Sequence, residues 1–464
     1  MANDLARWQF GTTTVYHFLF VPVTIGLAFL VAILQTVWYR TDQPEYKRMT
    51  RFFGTLLLIN VAIGVVTGLV QEFQFGMNWS TYSRFVGGVF GAPLAMEGLA
   101  AFFLESTFIG LWVFGWDRLP KRVHLACIWA VSIGSLLSAM FILIANSWMQ
   151  HPVGYKLSHG QAQLDNVWAL FVNPTFVWGY AHVVLASLIT GALVMLAVSA
   201  WYLRKGAHVE SLRRTAKVAL LVLIPAIVIQ MSVGNQLGVI ENNYQPMKIA
   251  AAEAQWTSCR PCSFSAFQIG GGANDQTPIE IIPIPHLLSV LATGTWSGPV
   301  TGLNQLQALY RRRFGPGNYV PDVFIQYWSM RVMAYLASVI LLLAFWGGWL
   351  LHRGTLERSR LFLTVSVWAV ITPFLMNTAG WFLTESGRQP WIVQGLQKTV
   401  SASSPSVSST DIWISLIAFV LAYIVLGAAD GYLMLRYSRR GLADAAADAA
   451  ETEPPPGAFP ALTY

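Results

Sequence analysis

The sequence predicts an all-α membrane protein of nine transmembrane helices, with the N-terminus outside, the C-terminus in the cytoplasm and one large extracytoplasmic segment. Three observations lead there. Of 464 residues, 55% are hydrophobic and only 11% charged, with 19 tryptophans among them. A water-soluble domain has no interior large enough to hide that surface. Nine apolar stretches are each long enough to cross a bilayer, at roughly 20 residues per crossing. Finally, 18 of the 29 lysines and arginines fall in alternate short loops.

The stretches cover residues 13–38, 52–75, 91–116, 123–148, 175–203, 218–240, 323–351, 361–385 and 411–435. Each is read as a helix, because a helix satisfies its own backbone in lipid. The first follows Asp4 and Arg7 and ends without a small-residue cleavage site, so it reads as an uncleaved span. The basic loops hold Arg40, Lys47, Arg48 and Arg51; Arg118, Lys121 and Arg122; Arg204, Lys205, Arg213, Arg214 and Lys217; Arg353, Arg358 and Arg360; and Arg436, Arg439 and Arg440. The positive-inside rule puts them in the cytoplasm. The formal charge of +7 therefore sets topology and does not mark a nucleic-acid binder.

The chain divides into residues 1–240 with six spans, an extracytoplasmic segment 241–322, residues 323–440 with three spans, and a tail 441–464. Segment 241–322 contains a helical-looking patch at 246–256 and a glycine-rich turn at 270–274. The tail, rich in Ala, Asp, Glu and Pro, reads as a disordered cytoplasmic end. Three cysteines are too few for a disulfide scaffold. Cys127 lies in an apolar run and reads as packing. Cys259 and Cys262 favour a local disulfide over zinc.

Polar residues inside the apolar layer carry the chemical signal, because each is costly there. Glu385 ends the eighth stretch beside Arg388, and Arg388, a proton or a metal ion can compensate it. His17, Glu97, His182 and Met333 join Glu385 in the outer half of the membrane on the predicted topology. His182 lies eight residues past Pro174, roughly 12 Å deep. Taken singly, each has a plainer reading: an interfacial hydrogen bond for His17, core packing for Met333. Five ligand-type side chains at one level are harder to treat as accidents. Glu105, eight residues beyond Glu97, suggests a proton path with Ser138 and Asn146 as polar neighbours. Imidazole with thioether is an axial pair for electron-transferring haem, and imidazole or carboxylate with a weak sixth ligand suits a gas-binding haem. Zinc fits poorly, since the ligands are dispersed and lack thiolates.

The motifs resemble those of subunit I of the cytochrome bd-type quinol oxidases. They are Gly387-Arg388-Gln389-Pro390-Trp391 after Glu385 and Trp381, Tyr16-His17-Phe18-Leu19-Phe20-Val21-Pro22, Gly91-Ala92-Pro93-Leu94-Ala95-Met96-Glu97-Gly98, Phe102-Phe103-Leu104-Glu105-Ser106-Thr107 and Asn146-Ser147-Trp148-Met149-Gln150. The resemblance covers essentially the whole chain. It implies a terminal oxidase that oxidises membrane quinol, menaquinol or ubiquinol, and reduces oxygen to water, building a proton gradient without pumping. His182 and Met333 would hold haem b558, with Arg331 near a propionate. His17 with Glu97 would serve one high-spin haem and Glu385 the other. The first reading gives haem d to His17 and Glu97 and b595 to Glu385, with a further b-type haem as the alternative to d. Trp381 would lie between the haems. Glu105 and Glu97 would carry protons, and Arg388 would hold a propionate or the Glu385 carboxylate.

Lys248 and Glu253 match the family's quinol-site residues, which makes 241–322 a quinol-binding loop. Five apart on an ideal helix, they point about 140° from each other. A second oxidase subunit, small single-span subunits and the bacterial cytoplasmic membrane are implied as partners and location. Two rivals remain on the residues alone. An ion-coupled transporter would be colourless when purified. A haem subunit that only relays electrons would not bind carbon monoxide.

Overall fold

The computed structural model describes residues 2–273 and 275–451, with side chains to residue 440. Among the described residues, nine helices are long and apolar enough to cross a membrane: Ala2–Thr41, Pro44–Met77, Ser80–Phe114, Lys121–Gln150, Pro174–Lys205, Val209–Tyr244, Val323–His352, Arg360–Gly387 and Ser409–Arg440. The ninth continues as backbone helix to Glu451, and the remainder of the expected tail lies outside the described residues.

Ion pairs show that the basic loops share one face. Lys121 pairs with Asp42, Lys47 and Arg51 with Asp117, and Arg213 with Glu357. The opposite face is a folded cap. Asn3 donates to the Thr399 carbonyl, the Tyr82 N–H to the Ala402 carbonyl and the Gln394 N–H to the Met149 carbonyl. The cap includes antiparallel hairpins Tyr155–Ser158 with Gln161–Leu164 and Trp391–Val393 with Gln397–Lys398. It also includes short helices Pro246–Ala252, Leu287–Thr293 and Leu303–Phe314. Cys259 and Cys262 are joined as a disulfide.

The first and third helices start at Ala2 and Ser80, where hydropathy placed the spans at 13 and 91. The added turns carry Asp4, Arg7, Ser80 and Arg84, which suit a helix projecting out of the apolar layer into the cap. Glu97 is therefore seventeen residues from its helix start, near the middle of Ser80–Phe114. Three spans are interrupted. The first breaks at Leu19 and Phe20, ahead of Pro22. The third contains a π turn at Glu97–Phe102 just after Pro93, and the eighth breaks ahead of Pro373. Proline removes a helix N–H, and single π turns often mark working sites.

Lipid is as apolar as leucine, so close packing and hydrogen bonds hold such helices together. A Cβ on Gly26 would stand 2.8 Å from the Gly191 Cα, so the first and fifth spans meet backbone to backbone. Gln35 accepts from Trp112 Nε1 at 2.6 Å and lies 2.8 Å from His124 Nδ1, tying the first, third and fourth spans.

Candidate functional site

The fourth span is a polar rail. Ser135 donates to Glu105 at 2.8 Å, Ser138 to Glu97 at 2.7 Å and Asn146 Nδ2 to Glu385 at 2.9 Å. At the end of the span, Gln150 Nε2 donates to Asn146 Oδ1 at 2.8 Å, and Gln150 Oε1 accepts from Lys248 Nζ at 2.9 Å. Successive residues turn by about 100°, so these four positions share one face of the helix. Together they bond two acids of the third span, Glu385 of the eighth and Lys248 of the cap. Ser135 and Ser138 are one turn apart, roughly 4.5 Å in rise, so Glu105 and Glu97 meet successive turns of the rail. Asn146, expected beside Glu97 and Glu105, serves Glu385 instead, because it lies two turns further towards the cap.

Glu385 is also ion-paired with Arg388. Arg388 is 3% exposed, and its Nε and Nη1 find no acceptor among the described residues. Lys248, 1% exposed, bonds Glu241 at 3.0 Å as well as Gln150. It packs against Gly387, so helix Pro246–Ala252 sits directly on the end of the eighth span. Burial pulls the Lys248 ammonium below the usual lysine range, and Glu241 opposes the shift.

Glu253 caps the same short helix and turns the other way. Its carboxylate accepts from Arg331 Nη2 at 2.7 Å. Arg331 also donates to the carbonyls of Ala252 and Ser265, and its guanidinium lies 3.8 Å from the Tyr327 ring centroid. Lys248 and Glu253 thus diverge to separate partners, as their helical spacing requires. Burial raises the Glu253 carboxyl above the usual carboxylate range, with Arg331 pulling it back. Arg331, expected near a propionate, has its donors largely engaged by this pair and the two carbonyls, leaving Nε without a partner.

The remaining ligand-type side chains each face a glycine on a neighbouring helix. A Cβ at Gly68 would lie 3.1 Å from His17 Cε1, one at Gly234 3.4 Å from His182 Cε1, and one at Gly380 3.6 Å from Met333 Sδ. His17 Nδ1 lies 3.0 Å from Thr67 Oγ1. Trp381 packs edge-on against Phe18, centroids 5.0 Å apart, beside His17 in sequence. Buried atoms without a partner among the described residues include His182 Nδ1, Glu97 Oε2 and Trp391 Nε1.

Among the described residues no group of three or more His, Cys, Asp or Glu side chains can hold a bare metal ion. Single ligands on separate spans, glycines that clear space beside them, and orphaned buried donors such as Arg388 Nε and Nη1 fit a flat metalloporphyrin with anionic arms. Sequence reasoning missed Glu72, Glu241, Ser135 and Gln150 as parts of the site. Glu72 lies near Glu97. The spacing 135, 138, 146, 150 was the available signal for the rail.

The fold is that of a multi-pass membrane protein, and its dispersed ligand-type side chains fit the haem-binding class. The sequence matches the family model for cytochrome bd terminal oxidase subunit I over residues 5–442. It is 45% identical over 439 residues to the cytochrome bd ubiquinol oxidase subunit 1 of Bacillus subtilis (strain 168), covering 94% of this chain and 93% of that protein. It is 37% identical over 498 residues to the cytochrome bd-II ubiquinol oxidase subunit 1 of Escherichia coli (strain K12), covering 94% and 96%. The structure of bd oxidase from Geobacillus thermodenitrificans superposes with a TM-score of 0.85 at 30% identity, covering 95% of this chain and 99% of that one. The chain belongs to the cytochrome bd terminal oxidase subunit I family. It is the subunit I of a terminal quinol oxidase.

Proposed function

We propose that quinol is oxidised at the cap beside Lys248 and Glu253, and that oxygen is reduced at the end of the polar rail. The observation that carries this is the unbroken run Lys248–Gln150–Asn146–Glu385–Arg388, which joins the cap to an intramembrane carboxylate. When bound, haem b558 at His182 and Met333 and two high-spin haems at His17 with Glu97 and at Glu385 supply one-electron transfer and oxygen binding. The preferred assignment keeps haem d at the former high-spin site and b595 at the latter, with a third b-type haem as the alternative.

Lys248, with its basicity lowered by burial, orients a quinol oxygen. Glu253 takes the quinol proton, its raised affinity matching it to a general base, and releases it to the cap side. Arg331 holds Glu253 in place. Arg388, with two free donors, binds an anionic arm of the cofactor and the Glu385 carboxylate together. Trp381 fills the space between the spans that bear His17 and Glu385 and keeps water out. Glu105 and Glu97, fixed to adjacent turns of the rail, pass protons for water from the basic face. That face is cytoplasmic by the positive-inside rule. Uptake on one side and release on the other builds a gradient without a pump.

Exposed Leu69, Phe73, Leu99 and Phe103 surround Glu72, Glu97 and Glu105. A second oxidase subunit in the bacterial cytoplasmic membrane would cover this face, and small single-span subunits would fit elsewhere. The test is oxygen consumption by the purified enzyme with quinol. Lys248→Met should raise the quinol KM with the visible spectrum intact. An unchanged KM would remove Lys248 from the quinol site. A colourless wild-type protein would favour transport, and a coloured one that binds no carbon monoxide would favour electron relay.

A further inference from the structure

On the basic-face side of the rail lies a cavity of about 660 Å³ between the first, second, fifth, eighth and ninth spans. Its walls are largely apolar, but one stripe is not. Asp430, Gly431, Ser438 and Arg439 line it from the ninth span, while Tyr16 and Asn60 line it from the first and second. Arg439 lies nine residues beyond Asp430, about 13 Å along the helix and at the basic end.

Asp430 is the anomaly. It is a carboxylate within a spanning helix, and its Oδ1 is buried without a hydrogen-bond partner among the described residues. Such a group is costly in lipid and is tolerated beside water. Water sits where a cavity offers room and polar partners, and here Asp430, Ser438, Arg439, Tyr16 and Asn60 supply them in an otherwise apolar wall. One turn up the ninth span, a Cβ on Gly427 would stand 2.7 Å from the Tyr16 hydroxyl, so the cavity's polar stripe reaches the residue before His17. Asn60 holds the break in the first span, donating to the Phe20 carbonyl at 2.8 Å and to Thr24 at 2.7 Å. The cavity therefore runs from Arg439, at the basic end of the ninth span, to the break just past His17.

We propose that this cavity is a water-filled proton-uptake vestibule, separate from Glu105 and Glu97, in which Asp430 is the relay carboxylate. The step is proton transfer alone. The Asp430 carboxylate takes a proton from water on the Arg439 side and releases it to water on the Tyr16 side, and no other bond or electron changes. The inference rests on the oxidase reading above, since that reaction consumes the protons. Asp430 touches no substrate and acts as a positioning and relay group.

The test uses the holoenzyme in proteoliposomes. Asp430→Asn should lower kcat for oxygen consumption by about tenfold, leave the quinol KM and visible spectrum unchanged, and be rescued by Asp430→Glu. A kcat within twofold of wild type, or a loss of spectrum and KM together that Asp430→Glu does not rescue, would overturn the proposal. Access is read separately with Gly431→Cys in a Cys127→Ala background. A Cβ at Gly431 meets nothing within 4 Å, so the thiol fits without strain. A charged, membrane-impermeant thiol reagent should label it from the basic face and slow turnover. Resistance to labelling would show a cavity sealed by lipid and would also overturn the proposal. Wild-type enzyme that consumes no oxygen with quinol would sink the oxidase reading itself, a result distinct from an active wild type with a fully active Asp430→Asn.

Discussion

Replacing Glu253 by Gln separates its structural role from its chemical one. The substitution keeps the shape and one acceptor oxygen for Arg331, but removes the counter-charge of a guanidinium that is 1% exposed. Removing one partner of a buried pair costs about 3–5 kcal/mol, because the other charge is left without compensation. Arg331 keeps the Ala252 and Ser265 carbonyls and the Tyr327 ring. The expected loss is therefore near the lower end, about 3 kcal/mol. Arg331→Met alone should cost a similar amount by stranding the carboxylate. In the double variant neither charge remains, so its loss of stability should fall short of the sum of the single losses by at least ~2 kcal/mol. Denaturant titration of the three purified variants measures this. Quinol oxidation should behave differently, staying low in Glu253→Gln and in the double variant, because the proton acceptor is absent from both. Additive stabilities would refute the pairing. Normal turnover in Glu253→Gln would refute the base assignment.

Other expectations follow from the same geometry. Glu253 works as a base only while deprotonated, and burial raises its pKa. Quinol oxidation should then decline as pH falls, at a higher pH than an ordinary glutamate would give. Arg331→Met removes the opposing cation and should move the decline higher still, and a shift to lower pH in kcat against pH would contradict this. Asn146→Leu cuts the rail between Gln150 and Glu385 and should alter the high-spin haem bands, with quinol KM nearly unchanged; a normal spectrum argues against it. Gly234→Leu drives a side chain into the His182 ring and should reduce low-spin haem content at constant protein yield, measured by pyridine haemochrome.

The spans were legible because hydropathy and charge act locally along the chain. Their true starts were not, since the turns at Ala2 and Ser80 carry polar side chains that belong to the cap. Glu385 and Arg388 could be paired from sequence, being three residues apart on one helix. Lys248 with Glu241 and Gln150, or Glu253 with Arg331, could not, because those pairings depend on how the cap folds over the bundle. The divergence of Lys248 and Glu253 was visible in their spacing. Asn146 was placed in the right layer but with the wrong acid, because its partner depends on which helix meets the fourth span at that height.

The central claim is that isolated imidazole, thioether and carboxylate side chains on separate spans grip haem. His182→Ala with a reduced-minus-oxidised spectrum tests it most directly. The low-spin b-type band should vanish while the high-spin bands persist. A full low-spin band in that variant would contradict the account.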